Sequence, residues 1–314
     1  MRYLFFINPA AGKGKIQKTL ILKIDEYFKK NPADYKTLIT RFPGDAEQTA
    51  RKEAQTGDKI RMFACGGEGT CYELVNGIFG FDNVELGVIP CGSANDFLRY
   101  FDNTDKFRDL GGQVNGKSAF IDLIKADDRY CINGCSVGMD AMVANNMRQF
   151  KRIPFVTGVI AYSLSILKTF SARKLGVKLN VTVDDENLGL NDCLFAVIAN
   201  APFYGGGYKG APDAVPNDGE LDFTMVDTVS HAKVVRFISA YKRGDIKDKS
   251  FCKLKRCSKM SFKSDKNVTI NLDGEIIEAT SMDFSIVKSA LKFILPPGIT
   301  LPNMENNVKL LKNV

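Results

Sequence analysis

The chain has 314 residues, 43 Lys plus Arg against 36 Asp plus Glu, a formal charge of +7, one His, no Trp and 8 Cys. Apolar residues at 45% and charged residues at 25% exclude a disordered or fibrous chain, and the length predicts two domains of about 100–200 residues each. With His231 as the one histidine, a multi-histidine metal site is excluded, and any Ser-His or Cys-His catalysis would have to use that residue.

The first stretch alternates strand and helix. Tyr3–Ile7 is an apolar run too short for a signal peptide and reads as a strand. Ile16–Phe28 carries helical apolar spacing, Thr37–Thr40 is a short strand, and Asp45–Gln55 is a helix that Gly57 ends. Ile60–Cys65 is a strand, Tyr72–Phe79 a helix and Glu85–Ile89 a strand. Such alternation predicts a mostly parallel sheet covered on both faces.

After about Ala126 the pattern changes. Arg129–Val137, Val177–Val183, Cys193–Asn200, Leu221–Val226, Met260–Phe262, Val268–Leu272 and Phe284–Val287 read as strands. Helices are expected over Pro154–Thr169 and over His231–Tyr241, the second with Ser230 as N-cap. Ile153–Phe170, between Arg148, Lys151, Arg152, Arg173 and Lys174, suits an interfacial helix or one packed on a strand-rich domain. The expected architecture is an α/β domain over 1–126, an antiparallel β-sandwich domain over 127–290 and a C-terminal segment over 291–314. Several of the cysteines lie in apolar runs, Cys65 among them, and none has Cys-x-x-Cys spacing, as expected of buried thiols in a reducing, cytoplasmic setting. The basic stretch Lys242–Lys266 has few interleaved aromatics, which argues against a nucleic-acid partner.

Three loops carry the chemistry. Cys65-Gly66-Gly67-Glu68-Gly69-Thr70-Cys71-Tyr72-Glu73 follows a strand and opens a helix. Thr70 and Glu73 have capping-box spacing. Glycines let the backbone approach an anion, and a helix N-terminus offers it free N–H groups and a positive dipole end. Asn8-Pro9-Ala10-Ala11-Gly12-Lys13-Gly14-Lys15 is a second small-residue, cationic loop at a strand's carboxyl end. Ile89-Pro90-Cys91-Gly92-Ser93-Ala94-Asn95-Asp96-Phe97 is the third. In open α/β sheets ligands bind beyond the carboxyl ends of the strands, so the three can converge on one phosphate site. In the second region, Asn217-Asp218-Gly219-Glu220 reads as a hairpin turn or a hard-cation ligand set, and Asn271-Leu272-Asp273-Gly274-Glu275 closes a strand with two carboxylates.

Taken in order, these motifs resemble the diacylglycerol kinase catalytic family, over roughly residues 1–295. The resemblance implies an ATP-dependent lipid kinase using Mg2+, with the active site in a cleft between an α/β and a β-sandwich domain. By position it assigns nucleotide contacts to Asn8, Pro9, Ala10, Ala11, Gly12, Thr40, Gly66, Gly67, Glu68, Gly69, Thr70, Glu73, Ser93, Asn95 and Asp96. Glu275 matches the residue treated as proton acceptor, with Asp273 competing and Glu68 a third carboxylate of the catalytic set. Val215, Asp218 and Glu220 match a structural magnesium site. Partners would be ATP and a lipid at a membrane surface, at the inner face of the membrane, with a homodimer left open.

One departure stands out: the family's glycine loop carries Asp where this chain has Glu68. A displacement of about 1 Å at a reacting centre can cost on the order of a hundredfold in rate. That keeps a nucleotide- or lipid-binding regulator with weak or no catalysis as an alternative, beside an NAD kinase-like enzyme.

Overall fold

The computed structural model describes residues 1–11, 16–91, 95–150, 164–165, 168–169 and 176–302. The expected helix Pro154–Thr169 lies outside them apart from 164–165 and 168–169, which are helical. Loop residues Gly12, Lys13, Lys15 and Ser93 lie outside them as well. The chain divides into two compact units. One comprises 1–123, 216–219 and the segment from 287 onward; the other comprises 124–215 and 220–286.

In the first unit, β1 (Arg2–Ile7), α1 (Ile16–Lys30), β2 (Asp34–Ile39), α2 (Asp45–Ala54), β3 (Ile60–Gly66), α3 (Glu68–Ile78) and β4 (Val84–Pro90) alternate. The strands are parallel in the order β2-β1-β3-β4. Alternate strand residues face α1: Phe5, Ile7, Phe63 and Cys65 cluster with Leu20, Ile24 and Phe28. Their neighbours Leu4, Phe6, Met62 and Ala64 are equally buried, so both faces of the sheet are covered, as parallel strands require. Each fully buried Phe or Leu here contributes about 1.5–3 kcal/mol.

On α2 the buried residues Ala46, Ala50 and Ala54 recur every four positions. They match Gly77 of α3, where a Cβ would stand 2.6 Å from the Glu47 carbonyl oxygen. Small side chains on both helices permit that approach. A short helix, α4 (Leu110–Val114), starts on Asp109, whose carboxylate accepts the Gly112 N–H at 3.0 Å. β5 (Lys117–Ala126) then leads into the second unit.

The second unit contains β6 (Arg129–Cys131), β7 (Gly134–Gly138), α5 (Met139–Phe150), β8 (Val177–Val183), β9 (Glu186–Ala199), β10 (Leu221–Asp227), α6 (His231–Arg243), β11 (Cys252–Cys257), β12 (Lys259–Leu272) and the first part of β13 (Glu275–Leu295). Pairing is antiparallel, in the order β11-β10-β9-β7-β12-β13. β8 also pairs with both β9 and β12. The two long strands β9 and β12 change partner along their length, from β8 at one end to β7 at the other, which lets each serve two layers of a sandwich-like core. The two strands expected over Met260–Phe262 and Val268–Leu272 are one strand, β12, with a register shift between Lys263 and Val268; a bulge absorbs the polar stretch that reads as a break. Ser230 stands at the N-cap of α6, but its backbone carbonyl, not its hydroxyl, receives the Lys233 and Val234 N–H groups.

Much of the basic stretch is matched by acids: Lys247 with Asp213 at 2.6 Å, Lys253 with Asp227 at 3.5 Å, Arg256 with Glu220 at 2.9 Å and Lys259 with Asp185 at 2.9 Å. All eight cysteines are free thiols. Burial pushes Cys91 up to about 11 and Cys193, Cys252 and Cys257 up to about 12, which leaves them unreactive. Among the described residues no helix is long and apolar enough to cross a membrane.

Candidate functional site

The order β2-β1-β3-β4 reverses direction between β1 and β3, which are neighbours. Connections leaving their carboxyl ends run to opposite sides, and the crevice so made is where such sheets bind ligands. Asn8 follows β1 here. Its N–H donates to the Cys65 carbonyl at 3.2 Å, tying the two strand ends together. Its side-chain oxygen accepts the Ala10 N–H at 2.9 Å, which sets the turn through Pro9. Its amide nitrogen reaches the Thr70 hydroxyl at 3.4 Å.

Gly66 ends β3 against that pair. A Cβ on it would lie 2.4 Å from the Thr70 hydroxyl and 3.4 Å from the Asn8 Cβ, so the close approach admits only glycine. Gly67, in extended conformation, is the N-cap of α3. The first N–H groups of an eleven-residue helix therefore open beside Asn8, with the positive end of the dipole behind them.

The helix begins at Glu68, four residues before the expected Tyr72. Thr70 consequently sits inside the first turn and points to Asn8, and the expected Thr70–Glu73 capping box does not form. Glu73 serves a different helix: its carboxylate accepts the N–H groups of Gly44 at 2.8 Å and Ala46 at 3.0 Å, at the amino end of α2.

Glu68 is half-buried and accepts the Asp96 N–H at 3.1 Å. The Asp96 carboxylate, 1% exposed, holds the Arg99 guanidinium at 2.8 Å. Between them Asn95 carries a buried amide nitrogen with no acceptor among the described residues. Such an orphaned donor beside a helix N-terminus suits an anionic oxygen. Thr40 completes this edge: its N–H donates to the Ile7 carbonyl at 3.0 Å. Asn8, Pro9, Ala10, Ala11, Thr40, Gly66, Gly67, Glu68, Gly69, Thr70, Asn95 and Asp96 thus lie along one edge of the first unit, whereas the Glu73 side chain faces α2.

In the second unit Asp273 and Gly274, with φ of 48° and 95°, form a two-residue hairpin loop between Leu272 and Glu275. The Asp273 carboxylate is buried and accepts N–H groups from Ile132 at 2.6 Å, Asn133 at 3.2 Å and Gly134 at 2.8 Å. Burial pushes it up to about 6, with those three donors pulling the other way. Its oxygens are taken up in structure. Glu275, half-buried, opens β13.

The turn of 216–219 is held by Asp122, which belongs to none of the sequence motifs. Its carboxylate accepts the N–H groups of Gly219 at 2.7 Å and Ser289 at 2.7 Å, and its own N–H donates to the Pro216 carbonyl at 2.8 Å. The signal lies in Phe120-Ile121-Asp122-Leu123-Ile124, an acid inside an apolar strand. The turn also bears on the magnesium set Val215, Asp218 and Glu220. The Glu220 carboxylate pairs with Arg256 at 2.9 Å. The Lys288 side chain lies across Gly219, its Nζ 3.1 Å from where a Cβ would stand. Among the described residues no three His, Cys, Asp or Glu side chains gather to hold a metal.

Two family models match. Residues 2–126 match the diacylglycerol kinase catalytic domain, and residues 133–295 match the YegS C-terminal NAD kinase beta sandwich-like domain. The chain is similar to a diacylglycerol kinase of Bacillus subtilis (strain 168), at 27% identity over 85% of this chain and 88% of that protein. It is also similar to a diacylglycerol kinase of Staphylococcus saprophyticus, at 26% identity over 93% and 94%. Among solved structures, a diacylglycerol kinase of Bacillus anthracis shares the fold with a TM-score of 0.67 at 18% identity, over 95% of this chain and 98% of that one. An α/β unit with a phosphate-type edge, a sandwich-like unit closed by the Asp273 hairpin and both family models agree: the chain belongs to the diacylglycerol kinase catalytic family of lipid kinases.

Proposed function

We propose that the protein transfers the γ-phosphoryl group of ATP to a hydroxyl of diacylglycerol or a related lipid. The observation that carries this reading is the meeting of Asn8, Gly66 and Thr70 at the β1–β3 reversal, in front of the α3 N-terminus. Phosphoryl transfer asks for a donor held in line and for charge neutralised on the transferring group, with little covalent chemistry from the protein. The amides of Glu68 and Gly69 and the side-chain amide of Asn95 supply neutral donors to the phosphate oxygens. Magnesium arriving with the nucleotide neutralises phosphate charge.

Glu275 is our general base, taking the proton of the attacking lipid hydroxyl. Asp273, held by three N–H groups, is the positioning residue that fixes the hairpin carrying Glu275. The acceptor comes from a bilayer, so the protein works as a peripheral enzyme at the cytoplasmic membrane face.

Full-length protein incubated with γ-labelled ATP, Mg2+ and a panel of diacylglycerol, sphingosine, ceramide and phosphatidylglycerol tests the reading. Label recovered in one extracted lipid supports it. Label in none of them, with ATP still bound, overturns it.

A further inference from the structure

The turn 216–219 belongs to the first unit, although the chain on either side of it belongs to the second. Asp122 Oδ2 accepts the Gly219 N–H at 2.7 Å and Oδ1 accepts the Ser289 N–H at 2.7 Å, so one carboxylate ties the turn to β13. The Pro216 carbonyl accepts the Asp122 N–H at 2.8 Å. On the far side the Asn217 side-chain amide donates to the Pro302 carbonyl.

A positive charge is built into the same place. Ser289, with φ of 49°, is a left-handed residue within β13. Lys288 precedes it, and its side chain runs along Gly219. A Cβ on that glycine would stand 3.0 Å from the lysine Cδ, 3.0 Å from Cε and 3.1 Å from Nζ. Gly219 has φ of 78°, so glycine both permits the turn and leaves room for the lysine stem. Burial pushes the Asp122 carboxyl up and the Ser289 and Gly219 N–H groups pull it down; the Asp218 charge raises it further and the Lys288 charge lowers it. Two carboxylates and one ammonium therefore share the turn.

We propose that the Lys288 ammonium is the structural cation of this turn, doing with a side chain what a bound magnesium would do at Val215, Asp218 and Glu220. A divalent cation of that kind needs roughly six oxygen ligands. Here both Asp122 oxygens already accept N–H groups, the Glu220 carboxylate pairs with Arg256 at 2.9 Å, and the ammonium repels a second cation at short range. An ammonium needs no such shell, being a compact charge with three donors on a flexible stem. The inference is independent of the lipid-kinase reading, and a magnesium ion that accompanies a nucleotide is a separate ion.

Melting temperatures of the full chain, measured without nucleotide in EDTA and in millimolar Mg2+, test it. Wild type is expected to respond to Mg2+ no more than Asp218→Asn does. Lys288→Met keeps the stem and removes the charge. In EDTA it is expected to melt about 2–4 °C below wild type, and Mg2+ is expected to recover most of that loss, because the two carboxylates then have no cation of their own. Lys288→Arg keeps a cation and is expected to ignore Mg2+ as wild type does, so it decides the matter even where Lys288→Met does not fold. A Mg2+ response in wild type that Asp218→Asn abolishes overturns the proposal. So does a Mg2+ response gained by Lys288→Arg, a Lys288→Met that melts like wild type in EDTA, or one that Mg2+ fails to restore. Lipid phosphorylation enters none of these readouts, so each outcome leaves the kinase reading to its own test.

Discussion

Gly66 and Thr70 are in such close register that a Cβ on the first would stand 2.4 Å from the hydroxyl of the second. The contact sets the distance between the end of β3 and the first turn of α3, whose N–H groups are the proposed phosphate donors. Gly66→Ala is expected to push Thr70 and Asn8 apart at a cost of about 1–3 kcal/mol and to weaken ATP binding by at least about tenfold. Adding Thr70→Ala should restore part of the loss. Calorimetry on the single and double variants checks this; unchanged ATP affinity in Gly66→Ala would remove the steric argument.

Glu68 differs from the family's Asp by one methylene, and that extra length has a partner, the Asp96 N–H at 3.1 Å. A shorter side chain withdraws from it. Glu68→Asp is therefore expected to lower kcat by about 10–100-fold with little change in ATP affinity. A regulator silenced by Glu68 would gain activity from the same change, so initial rates of lipid phosphorylation separate the two.

Asp273 and Glu275 sit two residues apart and should answer differently to the loss of charge. Asp273→Asn turns an amide group toward three backbone donors from Ile132, Asn133 and Gly134. Leaving buried N–H groups unpaired costs about 1–3 kcal/mol, read as a lower urea midpoint. Glu275→Gln should stay within about 0.5 kcal/mol of wild type. Equal destabilisation by both would contradict the division of roles.

Stability should fall as pH rises through a window set by Asp140. Burial pushes its carboxyl up to about 6, against hydrogen bonds from Ser136 and Tyr204. An unfolded Asp titrates near 3.9, so between about 4 and 6 the folded chain binds more protons than the unfolded one, and stability is lost as pH rises through that interval. Asp273 acts in the same direction. Urea midpoints should drop from pH 4.5 to pH 7, with a shallower fall in Asp140→Asn; an equally steep fall in that variant would refute the assignment.

What the sequence makes legible is local. Short continuous apolar runs mark β1 and β3, helical spacing marks α1, and glycines mark the turns, so the proposed phosphate edge can be assembled from three short motifs and one rule about parallel sheets. Contacts that span the chain are illegible. Leu-Asp-Gly-Glu offers two equivalent carboxylates, and only the donors some 140 residues earlier separate Asp273 from Glu275. Glu73 looks like a capping-box partner of Thr70 until α2, which lies 27 and 29 residues away at Ala46 and Gly44, claims it. Asp122 is an isolated acid in an apolar strand until Gly219 and Ser289 come to it. The single strand β12 reads as two because Lys263–Asn267 is polar, although the ladder resumes after a register shift.

In the proposed reaction the α/β unit holds the nucleotide, and Glu275 receives the proton of the lipid hydroxyl that takes the phosphoryl group. The most direct measurement compares wild type and Glu275→Gln for ATP affinity and for transfer of labelled phosphate to diacylglycerol. The account predicts ATP affinity within about twofold and a loss of turnover of at least about a hundredfold. Wild-type turnover in Glu275→Gln, under conditions where chemistry limits the rate, would contradict it.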